Sequence, residues 1–482
     1  MPLHPPHHPH PQHRSPTALI DRQLFEKAPV PVAVATLSLP TILSQLVTMI
    51  YNMADTYFIG QLNNPYMLAA LALCFPIFYS LNFIGNLFGL GGASVISRLL
   101  GAKHEKKVKF VSSFSFYATL ASGALYALLS YSYSQPILRF LGASPQTIEY
   151  ASQYFFYVVT LGAIPTVISL SLANLLRSDG HAAQASWGLM AGGILNIILD
   201  PIFIFYLQLE VRGAALATLL SNFLSAAYFI LLLVRWRQGE RTALSLNPRH
   251  FTLRCLWEVV SIGASSALNT ILAGVGNFLI VRLSAQYGDI PIAAFGIVKR
   301  VDMLPINISM GICQGYMPLV GYNFAAHNYK RMRAISHFAW LCGLLLSLFC
   351  VALSWLFSEA IVGLFIEEPQ TLRLGAQFLR IASLGVPMTV VNFLICYGLQ
   401  AMGYASPSLA LSAIRLGLFN ISCTLLLDHW CGMYGVISAQ PIAEAFSLVI
   451  SLGVYLHLMR QLHAPPRAPL SRRPPPVARE VS

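Results

Sequence analysis

Apolar runs of about 20 residues or more, enough to cross a bilayer, follow one another along nearly the whole of this 482-residue chain. Twelve are counted, over 32–61, 66–96, 110–133, 150–176, 185–207, 212–234, 258–286, 291–320, 334–357, 374–401, 408–428 and 433–458. The runs are continuous and do not alternate with period two, so they read as helices, which satisfy their backbone groups within the segment, and not as barrel strands. Composition agrees. With 56% hydrophobic and 10% charged residues, against about 25% charged in soluble domains, the chain has too little polar surface to cover a water-soluble globule. The expected fold is an all-α polytopic membrane protein.

The net charge of +12 does not point to nucleic acid, because the basic residues sit in short connections between apolar runs. Lys103, Lys106, Lys107 and Lys109 follow the second span, Arg235, Arg237, Arg241, Arg249 and Arg254 the sixth, and Lys330, Arg331 and Arg333 the eighth. Glu149, Glu210, Asp289, Glu367, Glu368 and Asp428 occupy the alternate connections. Positive loops stay inside, so both termini are expected in the cytoplasm, with the protein multi-pass in the plasma membrane (a bacterial inner membrane). Eight cysteines lie singly, without a CxxC pair, and read as small apolar packers and not as disulfides or metal ligands. The N-terminus lacks the charged-then-apolar pattern of a cleavable signal.

A long-range repeat organises the spans. RFLGASPQTIEYASQYF at 139–155 matches GLFIEEPQTLRLGAQFL at 363–379, SDGHAAQAS at 178–186 matches AMGYASPSL at 401–409, and LNIIL at 195–199 matches FNISC at 419–423. One six-helix unit therefore occurs twice in the same orientation, and parallel repeats of this kind place a substrate path between the halves. The expected organisation is a disordered Pro/His-rich cytoplasmic leader over 1–29, a six-helix bundle over 30–240, a cytoplasmic linker over 241–257, a second bundle over 258–460, and a disordered Pro/Arg-rich tail over 461–482.

Ionisable groups inside a bilayer are costly and mark pathways. Four acids lie inside spans: Asp55, Asp200, Asp302 and Glu444. Asp55 and Asp200 each precede by about seven residues the point where their spans emerge on the same side, which puts both roughly 10 Å below that surface at 1.5 Å per residue. Thr218 enters from that side to a similar depth, and Asn196 lies one turn from Asp200 on the same face. Two carboxylates, an amide and a hydroxyl from three helices suit a proton relay or a small hard cation such as Na⁺, with no other metal implied. The repeat puts Thr424 at the place of Asp200 and Gly276 or Asn277 at that of Asp55, so the scaffold does not need the acids. Tyr51, one turn before Asp55, is placed to donate into the cluster or to pack. Pro201 removes the hydrogen bond to the Ile197 carbonyl, which makes it a static kink or a moving hinge. Lys299, Arg300, Asp302, Arg415 and Glu444 are read as lining a wet cavity or as structural charges. The chain has no Walker motif, no HExxH and no nucleophile elbow, and no catalytic residue is expected.

YNMADTYFIGQ, GLGGASVISRLLGA and LNIILDPIFIF, set in twelve spans, resemble the multidrug and toxic compound extrusion (MATE) transporters over roughly residues 30–460. The resemblance implies two six-helix bundles around a V-shaped cavity, and export of amphipathic, often cationic, organic compounds in exchange for H⁺ or Na⁺ flowing inward. In the branch it looks like, the cation site lies in the N-terminal half and maps onto Asp55, Asn196, Asp200 and Thr218. The acids that another branch carries in its seventh and tenth spans are absent here. The partners implied are small organic molecules and membrane lipids, with no nucleic acid, no cofactor and no obligate protein partner. Two other readings stay open: a flippase for lipid-linked saccharides, which needs a basic cavity, and a membrane scaffold that transports nothing.

Overall fold

A computed structural model describes residues 23–462 except 63, 239, 240 and 367. The leader through residue 22 and the tail from 463 lie outside the described residues. Among those described, twelve helical rods follow one another: α1 (Val30–Gly60), α2 (Pro65–Gly101), α3 (Glu105–Phe140), α4 (Ile148–Leu161 and Ala163–Ser178), α5 (Ala182–Tyr206), α6 (Glu210–Gln238), α7 (Leu256–Ser284), α8 (Asp289–Ala325), α9 (Tyr329–Leu356), α10 (Pro369–Ala401), α11 (Ala405–Cys431) and α12 (Met433–Gln461). By length and composition nine of these cross a membrane unaided, and α4 makes a tenth as one bent span. The other two are α3, rich in serine and tyrosine, and α8, which carries Lys299, Arg300 and Asp302 in mid-helix. The chain is a multi-pass membrane protein of two six-helix bundles. The end of the rods that bears the lysine and arginine connections is called the basic end, and the opposite one the acidic end.

Local chemistry sets the rod boundaries. Asn64 caps α2 through Tyr66 N, with Pro65 in the first turn, and Glu368 caps α10 through Thr371 N ahead of Pro369, pairings that satisfy otherwise orphaned amides. The turns between α4 and α5 and between α10 and α11 pass through Gly180 (φ 93°) and Gly403 (φ 85°). Both are left-handed positions that a side chain disfavours, and they occupy equivalent places in the repeat. The fourth rod of each unit breaks next to a glycine shortly before a proline. In α4 the break bends the axis by 45° at Gly162, before Pro165, and in α10 it falls at Leu384–Gly385, before Pro387.

The two bundles meet near the basic end. There an added Cβ on Gly263 (α7) would lie 1.8 Å from Leu87 O (α2), and one on Gly315 (α8) would lie 2.4 Å from Ser38 Cα (α1). Only glycine allows backbones this close. Ser94 Oγ donates across the same seam to Gln400 O at 2.5 Å. One continuous apolar core joins Val34 and Leu37 of α1, Leu90 of α2 and Ala182 of α5 to residues of α8, α9 and α10. Toward the acidic end, Gly274 (α7) and Gly296 (α8) have no heavy atom within 4 Å of an added Cβ, and Met53, Met303 and Leu304 are exposed. The bundles thus close on one side and part on the other, as a V.

Two connections differ from expectation. Residues 23–29 do not behave as leader: Phe25 is buried against the Tyr322 ring at 4.9 Å, and its carbonyl accepts from Arg331 Nε at 2.8 Å. Tyr322 also donates to Glu26 Oε1 at 2.7 Å. Burial of an aromatic side chain outweighs the entropy of ordering these few residues. The linker after α6 is likewise pinned to the first bundle, where Ser113 and Tyr117 of α3 donate to Asn247 O and Leu246 O at 2.7 and 2.9 Å.

Candidate functional site

The rods α1 and α5 cross at Gly193, where an added Cβ would meet Val47 at 2.9 Å and the Tyr51 ring at 3.2 Å. One turn nearer the acidic end, this close approach brings Asp55 of α1 beside Asn196 and Asp200 of α5, with Thr218 supplied by α6. All four side chains are buried, Asp200 completely. Asn196 Nδ2 donates to Asp200 Oδ1 at 3.4 Å and to Thr218 Oγ1 at 3.3 Å. The Asp55 and Asp200 carboxyls act on each other across this crossing. The four residues singled out from sequence therefore form one cluster.

The phenol that donates to Asp55 is Tyr154 of α4, 3.3 Å from Oδ2, whereas the Tyr51 ring packs on Gly193. The sequence reading missed Tyr154. Two signals point to it: it lies at the depth of Asp55 when counted from the acidic end of its rod, and its counterpart in the repeat is Phe378, which lacks the hydroxyl.

The cluster holds more acceptors than donors. Asp55 Oδ1, Asp200 Oδ2 and Asn196 Oδ1 are all buried without a hydrogen-bond partner among the described residues. Unpaired buried acceptors are costly, and two carboxylates this close repel each other unless a proton or cation lies between them. An all-oxygen set of two carboxylates, an amide and a hydroxyl suits H⁺ or Na⁺ and offers no soft ligand.

The second bundle repeats the crossing without the acids. Gly417 of α11 meets Leu272 of α7 where Gly193 meets Tyr51. Gly276 stands in the place of Asp55, and an added Cβ there would lie 3.1 Å from Asn420 Oδ1, the counterpart of Asn196. Thr424, in the place of Asp200, turns its hydroxyl back onto Asn420 O at 2.7 Å. Among the described residues, the same packing leaves no fully buried acceptor unpartnered at this crossing.

Pro201 ends the regular part of α5, and Ile202–Tyr206 continue it as a wider π-type turn. Such turns mark places where helix winding is altered, often at functional sites.

The remaining intramembrane charges are spread through the second bundle. Arg415 and Glu444 do not line an open cavity. They form a buried ion pair at 3.0 Å, with Arg415 Nη2 donating to Asn269 Oδ1 at 2.9 Å and Asn392 Nδ2 to Glu444 Oε2 at 2.7 Å. Opposite charges in a low-dielectric interior seek each other, which the sequence left open. The Arg415 guanidinium also lies 4.6 Å over the Phe393 ring. Lys299 donates to Gln440 Oε1 at 2.5 Å, Asp302 is buried beside a small cavity with Ser309, Thr389 and Gln440, and Arg300 is exposed.

Comparison with known proteins adds a family to this geometry. The MatE family model matches residues 40–202 and again 265–426, once in each bundle. The multidrug export protein MepA of Staphylococcus aureus strain NCTC 8325 is 34% identical over 439 residues, covering 90% of this chain and 96% of its own. MepA of Staphylococcus haemolyticus strain JCSC1435 is 33% identical over 446 residues, covering 92% and 97%. Among solved structures, an outward-facing multidrug resistance MATE family transporter of the MOP superfamily superposes with a TM-score of 0.85 at 24% identity, over 91% of this chain and 98% of its own.

Proposed function

The chain belongs to the MatE family of multidrug and toxic compound extrusion transporters, and we infer that it is a multidrug efflux transporter. We propose that it exports amphipathic, cationic organic compounds by alternating access, in exchange for H⁺ or Na⁺ bound at Asp55, Asn196, Asp200 and Thr218. The observation that carries the coupling is the pair of buried carboxyls with three unpartnered oxygens in one bundle, set against an equivalent crossing without acids in the other. Repulsion between Asp55 and Asp200 is relieved when a cation enters between them. Occupancy of the site then changes how α1 and α5 pack, and with it the balance between outward- and inward-facing states. The wide turn after Pro201 makes α5, with α4 at Phe155–Leu161 and α11 at Ala413–Asn420, one of three rods of altered winding among the described residues. In this reading the basic end faces the cytoplasm, by the positive-inside rule.

A flippase for lipid-linked saccharides would need free cations around the cavity. Arg415 is engaged by Glu444 and Lys299 by Gln440, and the exposed Arg300 alone does not make the basic lining that reading needs.

The test uses purified protein in liposomes loaded with a fluorescent cationic dye. A pH gradient and a Na⁺ gradient are imposed separately, each in the absence of the other. Dye transport driven by one of them is expected. Dye movement that responds to neither gradient sinks the proposal.

A further inference from the structure

Arg177 is a buried cation that the transport cycle above does not use. It closes the last turn of α4 with 4% of its surface exposed, and Nη1 donates to Asn174 Oδ1 at 3.0 Å. Nε and Nη2 are buried with no hydrogen-bond partner, and no carboxylate pairs with it among the described residues. Asp179, two residues on, faces away: its carboxylate accepts from Thr242 Oγ1 at 2.5 Å and lies 3.5 Å from His181 Nδ1. The seam's other arginine, Arg98, lies against Gly403 and donates to Ser94 O at 3.3 Å, and it has Glu258 acting on it. An unpaired charge in a protein interior is strongly unfavourable, so its retention calls for a use.

Its position supplies one. The repeat that aligns 178–186 with 401–409 puts Arg177 opposite Gln400. Gln400 is a hub of the basic-end seam: its carbonyl accepts from Ser94 of the other bundle, and its side chain bonds Ser265, Ser266 and Ser408. The equivalent turn of the first bundle reaches the same seam at Ala182, while Asp179 and His181 are covered from their own side by Thr242 and Trp236. Ser178, Asp179, His181 and Ala182 are all covered, and Ala182 belongs to the core shared with α8 and α10. Tyr397 of α10 lies close enough to Arg177 to act on it electrostatically across the seam. Two pseudo-equivalent residues thus stand at the closed end of the V, one a neutral amide with every group bonded and one a guanidinium with two unbonded donors.

We propose that Arg177 is the charge barrier of the basic-end seal, a fixed positive charge that keeps cations from leaking through the closed seam while the cavity faces the acidic end. Close apolar packing excludes large solutes by shape. Protons and small cations need an electrostatic barrier as well, and a lone arginine at a constriction supplies one. The assignment rests on the cation-coupled reading, because an exchanger loses its gradient through such a leak.

The experiment measures passive flux in sealed proteoliposomes with no substrate present. Entrapped pH and Na⁺ indicators report cation leak under an imposed potential, and an entrapped anionic dye reports loss of the seal by shape. Two variants are compared with the parent protein. Arg177→Gln installs the residue of the other repeat, and Asn174→Asp places a carboxylate on the existing acceptor of Arg177 while keeping the guanidinium. Each is expected to raise cation leak on the order of tenfold, the effect of one unit charge on another roughly 10 Å away at an effective dielectric of about 20. Anionic dye retention should be unchanged, and Arg177→Lys should stay near the parent level. A parent-like cation leak in either charge-altered variant that folds, or a leak that passes the anionic dye equally, overturns the proposal. The measurement is separate from coupling: gradient-driven dye export by the parent protein tests the transport reading, and this passive leak tests Arg177.

Discussion

The Tyr154 hydroxyl donates to Asp55 Oδ2 at 3.3 Å and ties α4 to α1 at the level of the carboxyl pair. Its counterpart Phe378 lies in the bundle whose equivalent crossing carries Gly276 and Thr424 in place of the two acids, so the phenol and the carboxyl pair occur together at one crossing and are missing together from the other. Tyr154→Phe keeps the ring and removes the donor. A hydrogen bond to a charged group contributes about 1.5–3 kcal/mol, so the half-saturating concentration of the coupling ion should shift by roughly ten- to a hundredfold. Ion titration of dye efflux in proteoliposomes checks this, and an unshifted titration means that Tyr154 only packs.

Asp200→Asn preserves shape and removes one of two facing charges. The expected outcome is a protein that inserts and purifies normally and no longer moves dye in response to an ion gradient. Removing a carboxylate from an acceptor-rich cluster should also leave stability unchanged or raised, because the repulsion with Asp55 disappears. Thermal unfolding followed alongside the flux assay gives both readings. Parent-like efflux would remove Asp200 from the site.

The Arg415–Glu444 pair behaves differently, since its charges already offset each other at 3.0 Å. Glu444→Gln alone leaves a buried guanidinium without its anion and should cost about 3–5 kcal/mol, seen as a clear fall in Tm. Arg415→Met combined with Glu444→Leu should recover most of that loss, because replacing both members of a buried pair by apolar groups is often neutral or stabilising. A double variant no more stable than the single one would show that Arg415 is needed for its contacts with Asn269 and Phe393.

Gly263→Val addresses the seam. Its Cβ would fall 1.8 Å from Leu87 O, a clash relieved only by moving α7 away from α2. Overpacking of this kind costs typically 1–3 kcal/mol, and here the cost falls on the state that is closed at the basic end. In a background lacking the eight native cysteines, a cysteine pair at Ser97 of α2 and Gly321 of α8, whose Cβ positions lie 3.3 Å apart across the seam, should cross-link readily in the parent and several-fold more slowly in the valine variant. Equal cross-linking rates would mean that the seam tolerates the side chain.

Much of this protein is determined by local rules that hold along a single helix. A bilayer demands about 20 apolar residues per crossing and leaves no backbone group unsatisfied, so the spans and the helical class follow from hydropathy alone. Helical rise is constant at 1.5 Å per residue, and depth counting along separate rods therefore brought Asp55, Asn196, Asp200 and Thr218 to one level before any rod was packed against another. The internal repeat worked in the same way, because it compares positions and needs no contacts. Partner choice is what the tertiary structure decided. Tyr154 and not Tyr51 reaches Asp55, Arg415 finds Glu444, and residues 23–29 dock on α8 and α9 in place of trailing as a leader. Each outcome depends on which face one helix turns to another, and that is set by crossing angles and glycine contacts between segments far apart in the chain. The isolation of Arg177 belongs to the same class: a basic residue at a helix end looks ordinary in sequence, and only the packed fold leaves it buried without an anion among the described residues.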